Sequence, residues 1–181
     1  MKDLLKGINI FLVGMMGVGK TTVGRLLATE LGYHFFDTDT LIEQVAGKTI
    51  NEIFAEDGEE AFRQLESQVL SELSAHTKLT IATGGGIVLR HMNWSYLHQG
   101  LIIWLDAPVK VLLDRLQDDA TRPLLQTADP ASVLQTLLDK RRRLYGEADL
   151  HIQVSANETP EEIASRVMAA IPSVLKSSVV D

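Results

Sequence analysis

A glycine-rich loop between a strand-like and a helix-like stretch constrains the fold of this chain most strongly. The stretch GMMGVGKTT begins at Gly14, directly after the apolar run Ile8–Val13. It matches the pattern G-x-x-x-x-G-K-[ST], whose glycines let backbone N–H groups turn inward around anionic oxygens. A glycine-rich turn with a chance lysine is the alternative, but the flanking strand and helix favour a phosphate site at the start of the helix.

The same pattern predicts roles for the polar residues of the loop. Lys20 is expected to reach the β- and γ-phosphates of a nucleoside triphosphate, and the Thr21 hydroxyl to bind Mg²⁺. GTPases of this class usually read guanine through N-K-x-D, which this sequence lacks, so ATP is favoured. The predicted ATP-binding residues of the loop are Gly14, Gly17, Val18, Gly19, Lys20, Thr21 and Thr22.

Strand-like and helix-like stretches alternate along the whole chain. This alternation predicts a parallel sheet covered by helices on both faces. The predicted strands are 8–13, 34–36, 79–83, 101–105 and 151–154. The predicted helices are 21–31, 40–46, 49–55, 59–74, 109–116, 131–144 and 160–170.

Length and composition limit the possible classes of protein. A chain of 181 residues favours a single domain, here 1–181, and polar residues 117–130 are predicted to form a mobile lid, with 176–181 as a frayed tail. The net charge of −7 argues against a broad nucleic-acid surface. No stretch has the roughly 18 apolar residues of a membrane helix. The first residues lack a small-residue signal cleavage site, so we expect a cytoplasmic protein.

Three further stretches carry candidate ligand-binding residues. FFDTDTLIE places Asp37 and Asp39 at the end of the second strand, where they point the same way if the strand continues; an N-cap plus a solvated carboxylate is the alternative. AFRQLESQVL places Arg63 and Glu66 one helical turn apart, a spacing also typical of a surface ion pair. IATGGGIV ends the third strand with Gly84–Gly86, which allows close approach of a ligand but also fits a plain loop.

In this order, these stretches resemble shikimate kinase. The resemblance covers nearly the whole chain and rests on GMMGVGKT, FxDTDxxIE, FRxxE, TGGGIV, WLDAP, RPLL and RxxLY. It implies an α/β P-loop kinase of the nucleoside monophosphate kinase-like fold, with a five-stranded parallel sheet of order 2-3-1-4-5 and a mobile lid. It also implies transfer of the γ-phosphoryl group of ATP to the 3-hydroxyl of shikimate, in chorismate and aromatic amino-acid synthesis. We expect a monomer that uses Mg²⁺ and binds neither nucleic acid nor membrane.

The resemblance assigns an acceptor site. Asp39 would bind the shikimate hydroxyls, either as the base that takes the proton of the attacking hydroxyl or as a positioner. Arg63, oriented by Glu66, and Arg141 of KRRRLY would hold the shikimate carboxylate. The implied substrate-binding residues are Asp39, Arg63, Gly84, Gly85, Gly86 and Arg141.

The nucleotide side is assigned in the same way. Asp37 would lie near Mg²⁺ through a water molecule, beside Thr21. Arg122 of TRPLL would reach the phosphates from the lid, which makes it catalytic together with Lys20 and Asp39. Arg115 would lie against adenine.

Some residues fit other interpretations. The neighbours of Arg141 in KRRRLY could be solvated charges. Asp106 in WLDAP is predicted to cap the following helix, with a metal ligand as the alternative. The five histidines show no paired metal spacing and are predicted to be structural or exposed. Competing functions are a gluconate kinase, a nucleoside monophosphate kinase and a nucleotide-binding module without catalysis.

Overall fold

A five-stranded, all-parallel sheet forms the centre of the computed structural model, which describes residues 4–117 and 126–175. The strands are β1 (Ile10–Val13), β2 (His34–Asp37), β3 (Leu79–Ala82), β4 (Leu101–Asp106) and β5 (Leu150–Gln153). Their order is β2-β3-β1-β4-β5, as predicted. The side chains of β1, β3 and β4 are buried, as expected for central strands covered on both faces.

Eight helices connect and cover these strands in the described residues. They are α1 (Lys20–Leu31), α2 (Thr38–Ala46), α3 (Ile50–Glu56), α4 (Glu59–Ser74), α5 (His91–Leu97), α6 (Val109–Leu116), α7 (Pro130–Tyr145) and α8 (Pro160–Leu175). A short 3₁₀ turn over Ile87–Leu89 precedes α5. Within the described ranges, no helix combines the length and the apolar character needed to cross a membrane.

The predicted elements correspond closely to the observed ones, with one omission. The prediction gives the bounds of α4 and α6 correctly. It also gives the end of α1, where Gly32 adopts the left-handed conformation that favours glycine. Helix α5 and the 3₁₀ turn before it were not predicted. Since α5 has only seven residues and no side-chain cap at Arg90, its sequence carries little helix signal.

The parallel sheet places the functional loops at one edge. The loop after β1, the Asp37–Asp39 stretch after β2 and the glycine turn after β3 (Gly84–Gly86) all follow the carboxyl ends of strands. Thr83 ties two of these ends together, because its backbone N–H and its hydroxyl both donate to the Leu12 carbonyl, at 3.1 and 2.7 Å. Ligands of open parallel sheets bind at this edge.

Candidate active site

The loop after β1 has the shape of an anion-binding loop. Gly17 and Gly19 both have positive φ. Gly19 is the N-cap residue of α1 and has no side chain to cap it, so the first N–H groups of the helix remain directed at the loop. The ammonium of Lys20 donates to the Gly14 and Met15 carbonyls, at 2.6 and 2.9 Å. The lysine therefore lies across the loop that it is predicted to serve.

A cavity of about 550 Å³ opens beside this loop. It is lined by Met16–Val23, Asp37, Asp39, Thr83–Gly85, Arg115, Leu116, Pro160 and Ile163. Arg115 donates to the Val18 carbonyl at 2.9 Å, so its guanidinium lies over the loop. Pro160 and Ile163 of α8 were not predicted as lining residues, since an apolar helix face gives no ligand signal in the sequence.

The strand does not continue through Asp37 and Asp39, so the condition for their pointing the same way is not met, and the alternative of an N-cap is observed at Asp37. Strand β2 ends at Asp37, whose Oδ1 caps α2 by accepting from the backbone N–H groups of Asp39 and Thr40, at 2.9 and 3.3 Å. Asp39 lies in the first turn of α2. The chain turns into a helix here because an aspartate N-cap satisfies N–H groups that would otherwise lack partners.

The second oxygen of Asp37 meets the helix that follows the loop. Thr21 Oγ1 donates to Asp37 Oδ2 at 2.7 Å, and both residues line the cavity. These two oxygen atoms are suitable ligands for Mg²⁺, which is usually bound by one or two protein groups together with substrate phosphates. The described residues contain no group of three or more His, Cys, Asp or Glu side chains that could hold a metal ion.

A buried cluster of charged side chains lies around Gly84. A β-carbon at Gly84 would lie 2.7 Å from Glu66 Oε2 and 2.9 Å from Asp39 Oδ1, so the two carboxyl groups converge on this glycine. Glu66 is 1% exposed, and its Oε1 accepts from Arg63 Nη1 at 3.2 Å. Glu66 is therefore buried while Arg63 is partly buried, and Arg63 Nη2 also lies 3.4 Å from the exposed Glu59, so the pair lies at the margin of the protein interior.

Burial dominates the protonation of Glu66. It raises the pKa of this carboxyl from 4.5 to about 7, and Arg63 opposes the rise while the Asp39 charge adds to it. Glu66 therefore holds its proton more tightly than an ordinary glutamic acid, even though an arginine lies beside it.

The other two glycines of the turn lie against the two predicted arginines. A β-carbon at Gly85 would lie 3.2 Å from Arg141 Nη1, and one at Gly86 would lie 2.8 Å from Arg63 Cζ. Arg141 is 6% exposed. The glycine turn thus lies between two guanidinium groups, an arrangement suited to a carboxylate ligand.

A buried polar network, not predicted from the sequence, supports the turn from behind. Ser67 of α4 donates to Asn93 Oδ1 at 2.7 Å, and Asn93 donates to the Ile87 carbonyl at 2.8 Å. Trp94 Nε1 donates to the Val88 carbonyl at 3.0 Å. These bonds hold the segment that follows the glycines. The sequence gives no sign of the Ser67–Asn93 bond, because it joins residues 26 positions apart in the chain.

The prediction that Asp106 caps the following helix was wrong. Helix α6 begins after Pro108 without a side-chain cap. Asp106 Oδ2 instead lies 2.9 Å from His151 Nε2 and 3.5 Å from Arg142 Nη1, and the His151 ring stacks on Trp104 at 4.0 Å. Asp106 therefore joins β4 to β5 and α7, away from the cavity lining.

Arg122, most of the predicted lid, 118–125, and the predicted frayed tail, 176–181, lie outside the described residues. The remaining predicted residues divide into two groups. Those of the loop, except Gly14, line the cavity with Asp37, Asp39, Gly84, Gly85 and Arg115. Arg63, Gly86 and Arg141 adjoin this lining through the glycine turn.

Comparison with known proteins assigns the family. The family model for shikimate kinase matches residues 16–172. This chain belongs to the shikimate kinase family. The shikimate kinase of a Nostoc species is 63% identical, with 98% of each chain covered, and that of Thermosynechococcus vestitus is 51% identical, with 97% of this chain and 96% of the relative covered.

Solved structures agree with this family. The shikimate kinase from Acinetobacter baumannii in complex with shikimate has a TM-score of 0.91 and 41% identity, covering 95% of this chain and 97% of that one. A gluconokinase from Sinorhizobium meliloti, with a TM-score of 0.58 and 18% identity, shares the fold alone and covers 94% of this chain and 95% of that one. The predicted fold, family and ATP-dependent phosphorylation of shikimate are confirmed.

Proposed function

We propose that the cavity holds ATP with its triphosphate on the loop after β1 and its base towards α6 and α8. The inward N–H groups of the loop, the start of α1 and Lys20 supply positive potential for the phosphates. Arg115 already lies over the loop, which supports the predicted place beside the adenine. Mg²⁺ bound at Thr21, with Asp37 acting through water, would neutralise charge on the phosphate oxygens.

The acceptor is proposed to lie at the glycine turn. One observation carries this proposal: the turn adjoins the phosphate loop while Asp39, Glu66, Arg63 and Arg141 surround it. Shikimate is a small carboxylate with three hydroxyl groups, so two arginines and a carboxylate are the partners it needs. Arg63 and Arg141 bind its carboxylate, and the backbone N–H groups of the turn complete the contact.

Positioning and charge stabilisation account for the proposed reaction. Asp39 lies in the cavity lining between the acceptor side and the loop, where it orients the 3-hydroxyl and accepts its proton. The oxygen then attacks the γ-phosphorus in line, ADP leaves, and Lys20 stabilises the charge that develops on the transferred group. Arg122 is proposed to add a second positive charge when the predicted lid closes.

Several other predictions are retained as proposals. We infer that 1–181 forms one catalytic domain and that the protein acts as a cytoplasmic monomer without nucleic-acid or membrane partners. The family supports a small-molecule enzyme, and the net charge of −7 disfavours a polyanion partner.

The identity and stereochemistry of the product test this mechanism. The product made from MgATP and shikimate is expected to show a ³¹P signal coupled to the proton on carbon 3. With ATP made chiral at the γ-phosphorus, one in-line transfer inverts the configuration. Retention would indicate a phosphorylated enzyme intermediate, and phosphate on another hydroxyl would contradict the placement of Asp39.

A further inference from the structure

Tyr145 is a buried residue that the proposed mechanism does not use. It is the last residue of α7, is 0% exposed, and follows Arg141 by one helical turn. Its ring stacks on Trp104 of β4, with 5.7 Å between ring centres. The side chain is therefore held firmly on the face of α7 that carries the acceptor arginine.

The Tyr145 hydroxyl reaches both loops of the site. It donates to the Gly85 carbonyl at 2.6 Å, and its oxygen lies 3.7 Å from Met15 Sδ of the phosphate loop. Burial raises the pKa of this phenol, with the Arg141 charge opposing the rise. The hydroxyl thus keeps its proton and acts as a donor at neutral pH.

All three carbonyl groups of the glycine turn have protein partners. Gly84 O accepts from the Ile87 N–H and Gly86 O from the Leu89 N–H, both at 3.1 Å, while Gly85 O accepts from Tyr145. In the described part of the chain, the Gly85 and Gly86 N–H groups have no hydrogen-bond acceptor. Gly86 is buried and Gly85 partly buried, and buried backbone donors are rarely left unpaired, so these N–H groups are available to a ligand.

The hydroxyl bond fixes one peptide plane. In a trans peptide, C=O and N–H point in opposite directions, so holding Gly85 O towards Tyr145 turns the Gly86 N–H away from α7. Rotation of this plane would direct a carbonyl dipole, in place of an N–H group, at an anion between Arg63 and Arg141. Glycine rotates more freely than any other residue, so an external bond is needed to select one orientation.

We propose that Tyr145 is a positioning residue for the acceptor: its hydroxyl holds the Gly85–Gly86 peptide in the orientation that presents the Gly86 N–H group to a carboxylate ligand. The inference rests on the proposed acceptor site at the glycine turn. It assigns a role to the tyrosine of the RxxLY motif, beside the one proposed for its arginine.

The variant Tyr145→Phe tests this role with little change in packing. Removing the hydroxyl is expected to lower kcat/KM for shikimate by about tenfold, mainly through KM, because the partly buried Gly85 carbonyl loses its donor. The KM for ATP should change less than about twofold. Tyr33→Phe is the matched control, since Tyr33 is also buried but directly precedes β2, at the amino-terminal ends of the strands and away from the site. The KM values of this variant should stay at wild-type level.

A measurement without substrate separates a local effect from a general loss of stability. The ¹⁵N and ¹H amide signals of Gly86 should shift in Tyr145→Phe more than those of Gly100, which lies at the other end of the sheet. An unchanged KM for shikimate, or equal increases in both KM values, would overturn the proposal. Failure of the wild-type protein to use shikimate would instead overturn the acceptor site itself.

Discussion

Thr21 and Asp37 form a hydrogen bond of 2.7 Å between Oγ1 and Oδ2, which links the start of α1 to the start of α2. Because Asp37 Oδ1 also caps α2, one carboxylate serves both the helix and the predicted metal site. A mutation that removes the negative charge of Asp37 but keeps its capping oxygen can therefore separate the two roles.

The variant Asp37→Asn should keep the helix and weaken the metal site. Asparagine is an equally good N-cap, so stability should change little, but the lost charge should raise the Mg²⁺ concentration for half-maximal activity about tenfold. Titration of activity with Mg²⁺ at saturating ATP measures this. Asp106→Asn is the control, and its Mg²⁺ requirement should match the wild type; an effect at Asp106 alone would reverse the assignment.

Removing Arg63 should affect the acceptor far more than the nucleotide. Breaking a buried charged contact typically costs about 2–5 kcal/mol, so Arg63→Ala should weaken shikimate binding at least about 30-fold. Calorimetric titration with shikimate and with ATP gives both affinities. Arg90→Ala removes an arginine that pairs with Glu60 at the surface, and it should change neither. Equal loss of both ligands in Arg63→Ala would refute its role at the carboxylate.

Adding one methyl group at Gly86 should displace Arg63 without unfolding the protein. The φ of −94° suits alanine, but its β-carbon would lie 2.7 Å from Arg63 Nη2, so the flexible guanidinium must move. We expect Gly86→Ala to lose shikimate affinity with little loss of stability. Gly100→Ala should do the reverse, because its β-carbon would lie 2.5 Å from the Asn9 backbone carbonyl. Wild-type shikimate affinity in Gly86→Ala would contradict the observed contact.

The raised pKa of Glu66 predicts a pH dependence of stability. The native state binds this proton more tightly than the unfolded chain, so stability falls as pH rises from 4.5 towards about 7. Relative to Glu66→Gln, the wild type should lose on the order of 2–3 kcal/mol between about pH 4.5 and pH 7.5. Urea unfolding of both proteins across this range measures the difference. The free energy of unfolding of the control Glu72→Gln, which replaces an exposed glutamate, should change with pH as in the wild type. The same pH dependence in Glu66→Gln would disprove the raised pKa of Glu66.

The sequence predicted the sheet because strand-like and helix-like stretches alternate along the chain and the central strands are short apolar runs. It also placed the phosphate loop and the glycine turn, since both depend on local backbone requirements. It offered the N-cap at Asp37 only as an alternative, because two aspartates at i, i+2 fit both a continuing strand and the first turn of a helix. Asp106 and the Ser67–Asn93 network were missed for another reason: their partners come from distant segments that only the fold brings together.

The acceptor requirement of ADP release tests the central claim most directly. The assay supplies MgATP with shikimate, gluconate, AMP or no acceptor and follows ADP through coupled enzymes, with Lys20→Ala as the inactive control. We predict ADP release that depends on shikimate alone and nearly disappears in Lys20→Ala. Release supported by gluconate or AMP, or tight ATP binding without release on adding shikimate, would contradict the assignment of the glycine turn as a shikimate site.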